Sequence, residues 1–512
     1  MANIPSGIPF QRGTSRRDYV SKLLIPIRKS AMLHITIKTF FLSLLLALVG
    51  CAENPVTGRQ NLVLMSAADE VRAGREADAE IRKEYGVYSN AALQQYVDRV
   101  GQRVARISHR GDLTYRFTVL DSPETNAFAL PGGYVYITRG MLAYLSSEAE
   151  LAAVLAHEIG HVTARHAVQQ QSAATAANLG ITLGSIFLPE LRSQAAQTLL
   201  GAVGGSILSG YGREHELEAD RLGAEYLARA GYNPQAMIRV IGVLKDQETF
   251  DAQVARQEGR EPRRYHGLFE THPRNDARLQ QLVGEANRYT QAGREENAAA
   301  YLNQLNGVIF GDSPEQGVVR EGKFLHEGLD FVLDFPNNWR VQNRPERVSA
   351  ISPGGDAMLQ MLLAERRSSP QEVLRAGLRL DNGGSIQNVS INNLPAALAS
   401  GTMQGRPVRA AAIDYRNRIY VVVGTARSAD AFNRYRGQID DTIRSFRPLQ
   451  ASERRLARPL ILRTIPARAN MSYAALAQNS PIGRNAEGYL RLINHDYPNG
   501  EPRPGEILKV VE

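Results

Sequence analysis

The residues most able to do chemistry are two histidines and a glutamate that form an HExxH pattern. They are His157, Glu158 and His161, in the apolar run LAHEIGH. On a helix, residues four apart project from one face, so the two imidazoles can bind a single Zn²⁺ ion. A zinc ion held in this way lowers the pKa of its bound water to about 7, and Glu158 could then accept a proton from that water. The pattern therefore indicates metal-assisted hydrolysis.

The neighbouring residues predict that this helix is buried. Leu151, Val154, Leu155 and Ile159 surround the pattern with apolar side chains. The alternative is a surface helix with two solvated histidines. In a buried helix, imidazoles and a carboxylate need polar partners, and a metal ion would provide them.

The pattern does not continue as it does in metzincins, where a histidine ten positions after the first is the third ligand. That position holds Ala167, and the position where the metzincin pattern requires glycine holds Ala164. His166 lies one residue short of the required place. A third protein ligand must therefore come from elsewhere in the chain.

A carboxylate on a second helix is the alternative third ligand. The stretch 211–223 places Glu216 and Asp220 four residues apart, on one helical face. Glu216 could bind the metal while Asp220 accepts the N–H of a ligand histidine. Without the HExxH pattern, this stretch would indicate a solvated charged helix. Helical spacing does not direct His166 or His215 at the metal, and we interpret both as packing or cleft residues.

Together these motifs resemble the gluzincin zinc metallopeptidases of the BepA-like and HtpX-like family. Besides HExxH and the later ExxxD in HELEADRLG, three stretches carry the likeness. They are NPVTGR at 54–59, NAFALPGG at 126–133 followed by YVYI, and THP at 271–273 with Arg278 after it. The resemblance covers residues 54 to about 285.

The resemblance implies a role for each residue of the candidate site. It implies that His157, His161 and Glu216 bind one Zn²⁺ ion per chain. It implies further that Glu158 is the general base and that Asp220 orients a ligand histidine.

The stretch before the HExxH helix predicts a small β-hairpin. The segment 115–119 alternates apolar and polar residues as in a half-buried strand, a Pro-Gly-Gly turn follows, and residues 134–138 form a second strand. An exposed edge there could bind an extended peptide by strand addition. The candidate substrate-binding residues are Asn126, Phe128, Pro131, Gly132 and Gly133. The alternative is an ordinary hairpin.

His272 has two interpretations. A histidine before Pro273 and after a variable charged stretch is typical of a loop. The resemblance to the BepA-like branch favours a second possibility, in which the imidazole occupies the water position of the zinc as a fourth ligand. His272 would then hold the enzyme latent.

The N-terminal segment predicts export and lipidation. Its apolar core runs from Phe40 to Gly50 after several basic residues, and this is too short to span a bilayer. The segment ends in LVGC, which resembles a bacterial lipobox, and Cys51 is the only cysteine of the chain. Residues 1–50 are therefore predicted to be a signal peptide, with Met32 as a candidate true start. Because residue 52 is Ala52 rather than aspartate, the resemblance to sorted lipoproteins favours the outer membrane, facing the periplasm.

Length and charge indicate a protein of several domains. The chain has 512 residues and a net charge of +8, but its basic residues are spread along the sequence, so we expect no nucleic-acid partner. The predicted class is α+β. We expect a lipidated tether at 51–70, a mainly helical zincin-type peptidase domain with a small β-sheet at 71–290, and a small α+β accessory domain at 315–450. The apolar segment 173–209 is predicted to form helices that cap the cleft.

The last part of the chain, 460–512, resembles a divergent LysM module. The resemblance implies a strand, two helices and a second strand, the order of elements in that glycan-binding family. Asn470 and Met471 stand where the family usually has glycine and aspartate. Peptidoglycan is therefore one candidate partner, and a purely structural role is the alternative.

Three functions fit these features. The first is a zinc metalloendopeptidase that hydrolyses misfolded or unassembled envelope proteins. The second is a non-proteolytic chaperone or assembly factor for outer-membrane proteins, and the third is a wall-binding lipoprotein. Glu158 favours the first, because a structural zinc site has no use for a general base.

A change at Cys51 tests the predicted lipid anchor. We expect Cys51→Ser to move the protein from the membrane fraction to the soluble fraction, because the lipids would be attached through this residue. Fractionation followed by immunoblotting measures the shift. Tight membrane association that persists in Cys51→Ser would contradict the prediction and point to the segment 173–209 as a membrane-binding flap.

Overall fold

A computed structural model describes residues 51–63, 65–172, 211–258, 276–289, 295–364, 369–381 and 384–512. The predicted signal segment, the apolar segment 173–209 and His272 lie outside these ranges. Among the helices of the described ranges, none is both long enough and apolar enough to cross a bilayer.

The first part of the described chain is mainly helical and carries short strands, as the sequence predicts. Its elements are β1 (Cys51–Glu53), β2 (Gln60–Leu62), α1 (Ala67–Tyr85), α2 (Ala91–Ala105), β3 (Arg116–Leu120), β4 (Ala127–Leu130), β5 (Tyr134–Thr138), α3 (Arg139–Tyr144), α4 (Glu148–Thr163), α5 (Arg213–Arg229), α6 (Ala236–Glu258), α7 (Asp276–Arg288) and α8 (Ala298–Leu305).

The stretch that was expected to be a tether begins with a hairpin. Strand β1 pairs antiparallel with β2, and the side chain of Asn54 closes the turn by accepting hydrogen bonds from the amides of Val56 and Thr57. Gly58 completes the turn with a φ of 67°, which favours glycine. Helix α1 then begins after Ser66, whose hydroxyl accepts the N–H of Asp69 as an N-cap.

The small sheet has the order β3-β5-β4, with β4 at its edge. The Pro-Gly-Gly turn joins β4 to β5 in an antiparallel hairpin, whereas β3 pairs with β5 in parallel. The sequence predicted the turn and β5, but it did not single out β4. Strand β3 is also buried on both faces rather than one: Arg82 of α1 donates to the Thr118 hydroxyl, and Phe117 packs on α2 at Gly101.

The accessory region is built on antiparallel strands, in agreement with the predicted α+β domain. Its elements are β6 (Ile309–Phe310), β7 (Val318–Arg320), β8 (Lys323–His326), β9 (Phe331–Asp334), β10 (Arg340–Arg344), β11 (Arg347–Ile351), β12 (Ala357–Ala364), α9 (Pro370–Gly377), β13 (Ser385–Ile391), β14 (Leu394–Met403), β15 (Arg406–Tyr415), β16 (Arg418–Ala426), α10 (Ala429–Ser445) and β17 (Arg447–Pro448). One sheet has the order β10-β11-β12-β16-β15-β14-β13, and a second has the order β17-β9-β8-β7.

The terminal unit has the predicted order of elements: β18 (Leu460–Pro466), α11 (Tyr473–Gln478), α12 (Ala486–Ile493) and β19 (Ile507–Val511). It does not stand apart from the first domain. Strand β18 pairs with β19 on one side and with β6 on the other. Buried side chains of the unit belong to the same hydrophobic core as α2, α4 and α6, and Gly488 lies so close to Phe250 that a Cβ would approach its ring to 2.2 Å.

A buried lysine joins the terminal unit to the start of α4. The ammonium of Lys509 is fully buried and donates to the carbonyls of Ala143 and Leu145, at 3.1 and 2.6 Å, and to the hydroxyl of Ser146. The imidazole Nε2 of His495 lies 2.7 Å from the carbonyl oxygen of Tyr144. The terminal unit thus satisfies backbone groups where α3 ends and α4 begins, which are otherwise costly to bury.

The burial of Lys509 predicts a pH dependence of stability. Burial lowers the pKa of its ammonium from 10.5 to about 7. Between those pH values the unfolded chain binds more protons at this site than the folded protein, so folding becomes more favourable as pH rises. We expect the Tm of the wild type, relative to that of Lys509→Met, to increase from pH 7 to pH 9.5.

Thermal unfolding across that range measures the difference, with Lys83→Met as the control because the Lys83 side chain is 59% exposed. A difference between wild type and Lys509→Met that stays constant or shrinks with rising pH would contradict the lowered pKa.

Candidate metal centre

Helix α4 carries the HExxH pattern through the protein interior. The hydroxyl of Ser147 caps it by accepting the N–H of Glu150, and every residue from Ala149 to Thr163 is buried. Helices α2, α5 and α6 and the edge strand β4 pack around it. The prediction of a buried helix is therefore correct, and a surface helix with solvated histidines is excluded.

Two glycines allow α4 and α5 to approach closely. A Cβ on Gly160 would lie 3.1 Å from the carbonyl oxygen of Ala219, and a Cβ on Gly223 would lie 3.3 Å from the backbone nitrogen of His157. Larger side chains at these positions would push the helices apart. The contact brings the first three turns of α5 against the last two turns of α4.

This contact gathers three potential ligands at one point. The Nε2 atoms of His157 and His161 are 3.1 Å apart, and the carboxylate of Glu216 lies 3.6 Å from the first and 3.5 Å from the second. All three side chains are buried. Donor atoms of a tetrahedral zinc site, at about 2.0–2.1 Å from the metal, lie about 3.3 Å from one another. The donor set and its spacing therefore fit a zinc ion.

Asp220 contacts the other nitrogen of the first histidine. Its carboxylate oxygen lies 3.0 Å from Nδ1 of His157. With Nε2 directed at the common point of the three donors, Nδ1 carries the proton and donates it to Asp220. Such a hydrogen bond orients a ligand imidazole and raises its basicity.

His161 has a comparable contact that the sequence did not reveal. Its Nδ1 lies 2.9 Å from Nδ1 of His166, whose Nε2 lies 3.1 Å from a carboxylate oxygen of Glu218. His166 is fully buried and stacks on His215 with a ring-centroid distance of 4.3 Å. Burial lowers the pKa of His166, and the hydrogen bond with His166 lowers the pKa of Glu218. His166 is thus a packing residue, as predicted, and it also contacts a candidate ligand.

Helical spacing could not predict this contact because the helix ends between the two histidines. Arg165 adopts a φ of 60°, a left-handed conformation, directly after the last turn of α4. Its guanidinium bonds the buried carboxylate of Glu70 in α1, with an Nε–Oε2 distance of 3.1 Å. The left-handed conformation at Arg165 interrupts the helix, and His166 directly after it contacts His161.

Glu158 and Tyr211 complete the surroundings of the three donors. Glu158 is fully buried and follows His157 directly on α4. The ring of Tyr211 stacks on His161 with a centroid distance of 4.0 Å. Burial, together with the carboxylates of Glu158 and Glu216, raises the pKa of Tyr211. The Tyr211 phenol therefore stays neutral beside the site, a position that the sequence did not indicate.

The predicted substrate-binding edge lies beside this site. Strand β4 packs against α4, and a cavity between them is lined by Ala129, Leu130 and Pro131 on the strand side and by His161 and Arg165 on the helix side. The strand edge and a candidate ligand therefore line the same cavity.

The residues that were proposed to bind substrate at this edge differ in their surroundings. The side-chain Oδ1 of Asn126 is buried and accepts no hydrogen bond from the described residues. The ring of Phe128 stacks on Tyr136, so only its backbone remains for a peptide. Gly132 and Gly133 have φ values of 79° and 90° and lie against α1 and Thr114, which gives these glycines a structural reason.

The two other predicted functional residues have different standings. Cys51 begins strand β1 and pairs with Leu62. His272 lies outside the described residues, so its proposed contact with the metal stays a prediction.

The chain is similar in sequence to known proteins. The model of peptidase family M48 matches residues 91–286. The beta-barrel assembly-enhancing protease of Escherichia coli (strain K12) is 32% identical over 353 residues, which cover 65% of this chain and 67% of the relative. The protein of that name from Yersinia pestis is 32% identical over 384 residues, covering 70% and 75%. The mitochondrial metalloendopeptidase OMA1 of Schizosaccharomyces pombe is 33% identical over 185 residues, covering 36% and 54%.

The geometry predicts that Glu216 is needed for metal binding. We expect Glu216→Ala to lose most of its zinc, because only two protein donors then remain where three are needed. Elemental analysis after dialysis measures zinc per chain. Glu214→Ala is the matched control, since Glu214 is an exposed glutamate two residues earlier on α5. Full zinc content in Glu216→Ala would contradict the assignment of the third ligand.

Proposed function

This chain belongs to peptidase family M48 and is a metalloendopeptidase, and we propose that it uses one zinc ion to hydrolyse misfolded or unassembled proteins of the bacterial cell envelope. The observation that carries the proposal is the group of three buried donors whose spacing fits zinc, with Glu158 buried one residue after His157 on the same helix. A purely structural zinc site closes with four protein ligands, whereas a catalytic site keeps one position open beside a base.

The zinc ion and the residues around its three donors have separate roles in the proposed reaction. When bound, the zinc ion supplies Lewis acidity for the attacking water and the scissile carbonyl. Glu158 accepts a proton from that water and delivers it to the leaving amine. Burial strengthens these interactions, because the local dielectric constant is lower than that of water. Asp220 holds the imidazole of His157 in the orientation that ligation requires.

A peptide substrate would bind along strand β4. Strand β4 lies at the edge of its three-stranded sheet, and an edge strand can add an extended chain through its backbone groups. Recognition through backbone groups suits a peptidase that acts on many unfolded sequences, because every peptide offers the same N–H and C=O groups. The buried Oδ1 of Asn126 would gain an N–H donor from such a substrate.

The names of the relatives support the substrate class. A beta-barrel assembly-enhancing protease acts, by its name, in the assembly of β-barrels. An unassembled barrel exposes unpaired strand edges, and such edges readily add to an edge strand such as β4. Lipidation at Cys51 would keep the enzyme at the outer membrane, on its periplasmic side.

The order of strands and helices in the terminal unit is the one feature that supports contact with peptidoglycan. Asn470 has a φ of 65°, so it can take the conformation of the glycine that usually stands there in LysM modules. The packing of the unit against α3 and α6 equally supports a structural role.

A change at Glu158 separates hydrolysis from a chaperone function. We expect Glu158→Gln to keep its zinc and its Tm but to lower casein hydrolysis by about 10²–10⁴-fold, because an amide cannot accept the proton. A quenched fluorescent casein assay measures the rate, with Glu214→Gln as the control for the same chemical change elsewhere. Equal rates in Glu158→Gln and wild type would refute the proposed role, and a zinc-loaded wild type without activity would favour the assembly-factor alternative.

A further inference from the structure

We propose that His166, held by Glu218, is a positioning residue that fixes the imidazole of His161 for the metal. This inference rests on the proposed zinc site and adds two residues to it. Each candidate ligand histidine then has an anchored partner at Nδ1. For His157 the partner is the carboxylate of Asp220, and for His161 it is a second imidazole backed by the carboxylate of Glu218.

The direction of each hydrogen bond follows from the geometry. The Nε2 atom of His161 faces the common point of the three donors, so its Nδ1 carries the proton. That proton is donated to Nδ1 of His166, which must then be unprotonated. The proton of His166 therefore resides on Nε2, where Glu218 accepts it at 3.1 Å. One arrangement of protons satisfies all three side chains, with both histidines neutral.

Two contacts and one backbone feature accompany His166 in this position. Its ring stacks on His215 and Glu218 accepts its Nε2–H, and it directly follows Arg165, whose left-handed conformation ends the helical geometry of α4. A left-handed conformation is unfavourable for arginine, and Arg165 adopts it while its guanidinium pairs with the buried carboxylate of Glu70. A contact maintained against backbone strain beside a reactive site is typical of a functional requirement.

The effect on zinc affinity tests the proposal. His166→Phe keeps a ring that can stack on His215 but removes both nitrogens. We expect it to raise the Kd for zinc by about 10–100-fold, the usual effect of losing a partner of a ligand histidine. Glu218→Ala should raise the Kd by a smaller factor, because the His166 ring remains but its tautomer is no longer fixed. Competition with a chromophoric zinc chelator measures each Kd.

A conservative change and a spectrum distinguish positioning from packing. The Oδ1 atom of asparagine can occupy the place of Nδ1 and accept the proton of His161, so His166→Asn should recover most of the affinity lost in His166→Phe. The visible absorption of Co²⁺-loaded protein should change in His166→Phe and return toward the wild type in His166→Asn. His215→Phe and Glu214→Ala are the controls, since they alter the same neighbourhood and leave the three-residue chain intact.

The outcomes separate this inference from the zinc site itself. Wild-type Kd values and Co²⁺ spectra in both His166→Phe and Glu218→Ala would overturn the positioning role and leave the zinc site standing. Equal losses in His166→Phe and His166→Asn, with a lowered Tm of both zinc-free proteins, would show packing instead and also overturn it. A wild type that binds no zinc would overturn the site and this inference together. If His166→Phe does not fold, the zinc Kd of Glu218→Ala tests the inference instead. A raised Kd supports the positioning role, and a wild-type Kd overturns it.

Discussion

The close contact of α4 with α5 is the constraint on which the site depends. It encloses two imidazoles and the carboxylates of Glu158 and Glu216 in the protein interior, where isolated charges are costly. A cation bound among the three donors would compensate for this cost, and the small residues Gly160, Ala219 and Gly223 allow the approach. Folding of the two helices thus creates the arrangement that a zinc ion would stabilise further.

Both ends of α4 are held by distant parts of the chain. At its start, Lys509 of the terminal unit donates hydrogen bonds to the backbone carbonyls of Ala143 and Leu145, at the end of α3 and before α4 begins. Beyond its last turn, Arg165 is tied to Glu70 in α1, which also lies 3.4 Å from the amide of Gly132 in the β4–β5 turn. Helix α4, the candidate substrate edge at the β4–β5 turn and the terminal unit are therefore linked by buried polar contacts, which fix the geometry more strictly than apolar packing alone.

Much of the site could be predicted because it depends on local spacing. The intervals within HExxH and between Glu216 and Asp220 are helical, so the sequence alone indicates which side chains share a face. The contact of His166 with His161 could not be predicted, because the left-handed conformation of Arg165 interrupts the helical spacing between them. Strand β4 was missed for a related reason: it is short and fully buried, so its sequence does not alternate. The packing of the terminal unit into the first domain rests on long-range contacts that no local pattern records.

The anomalous scattering of crystals at the zinc absorption edge tests the central claim most directly. The account predicts one strong peak per chain, at about 2.0–2.2 Å from Nε2 of His157, Nε2 of His161 and a carboxylate oxygen of Glu216. A zinc peak coordinated by other residues, or no peak among these three donors in zinc-loaded crystals, would contradict it.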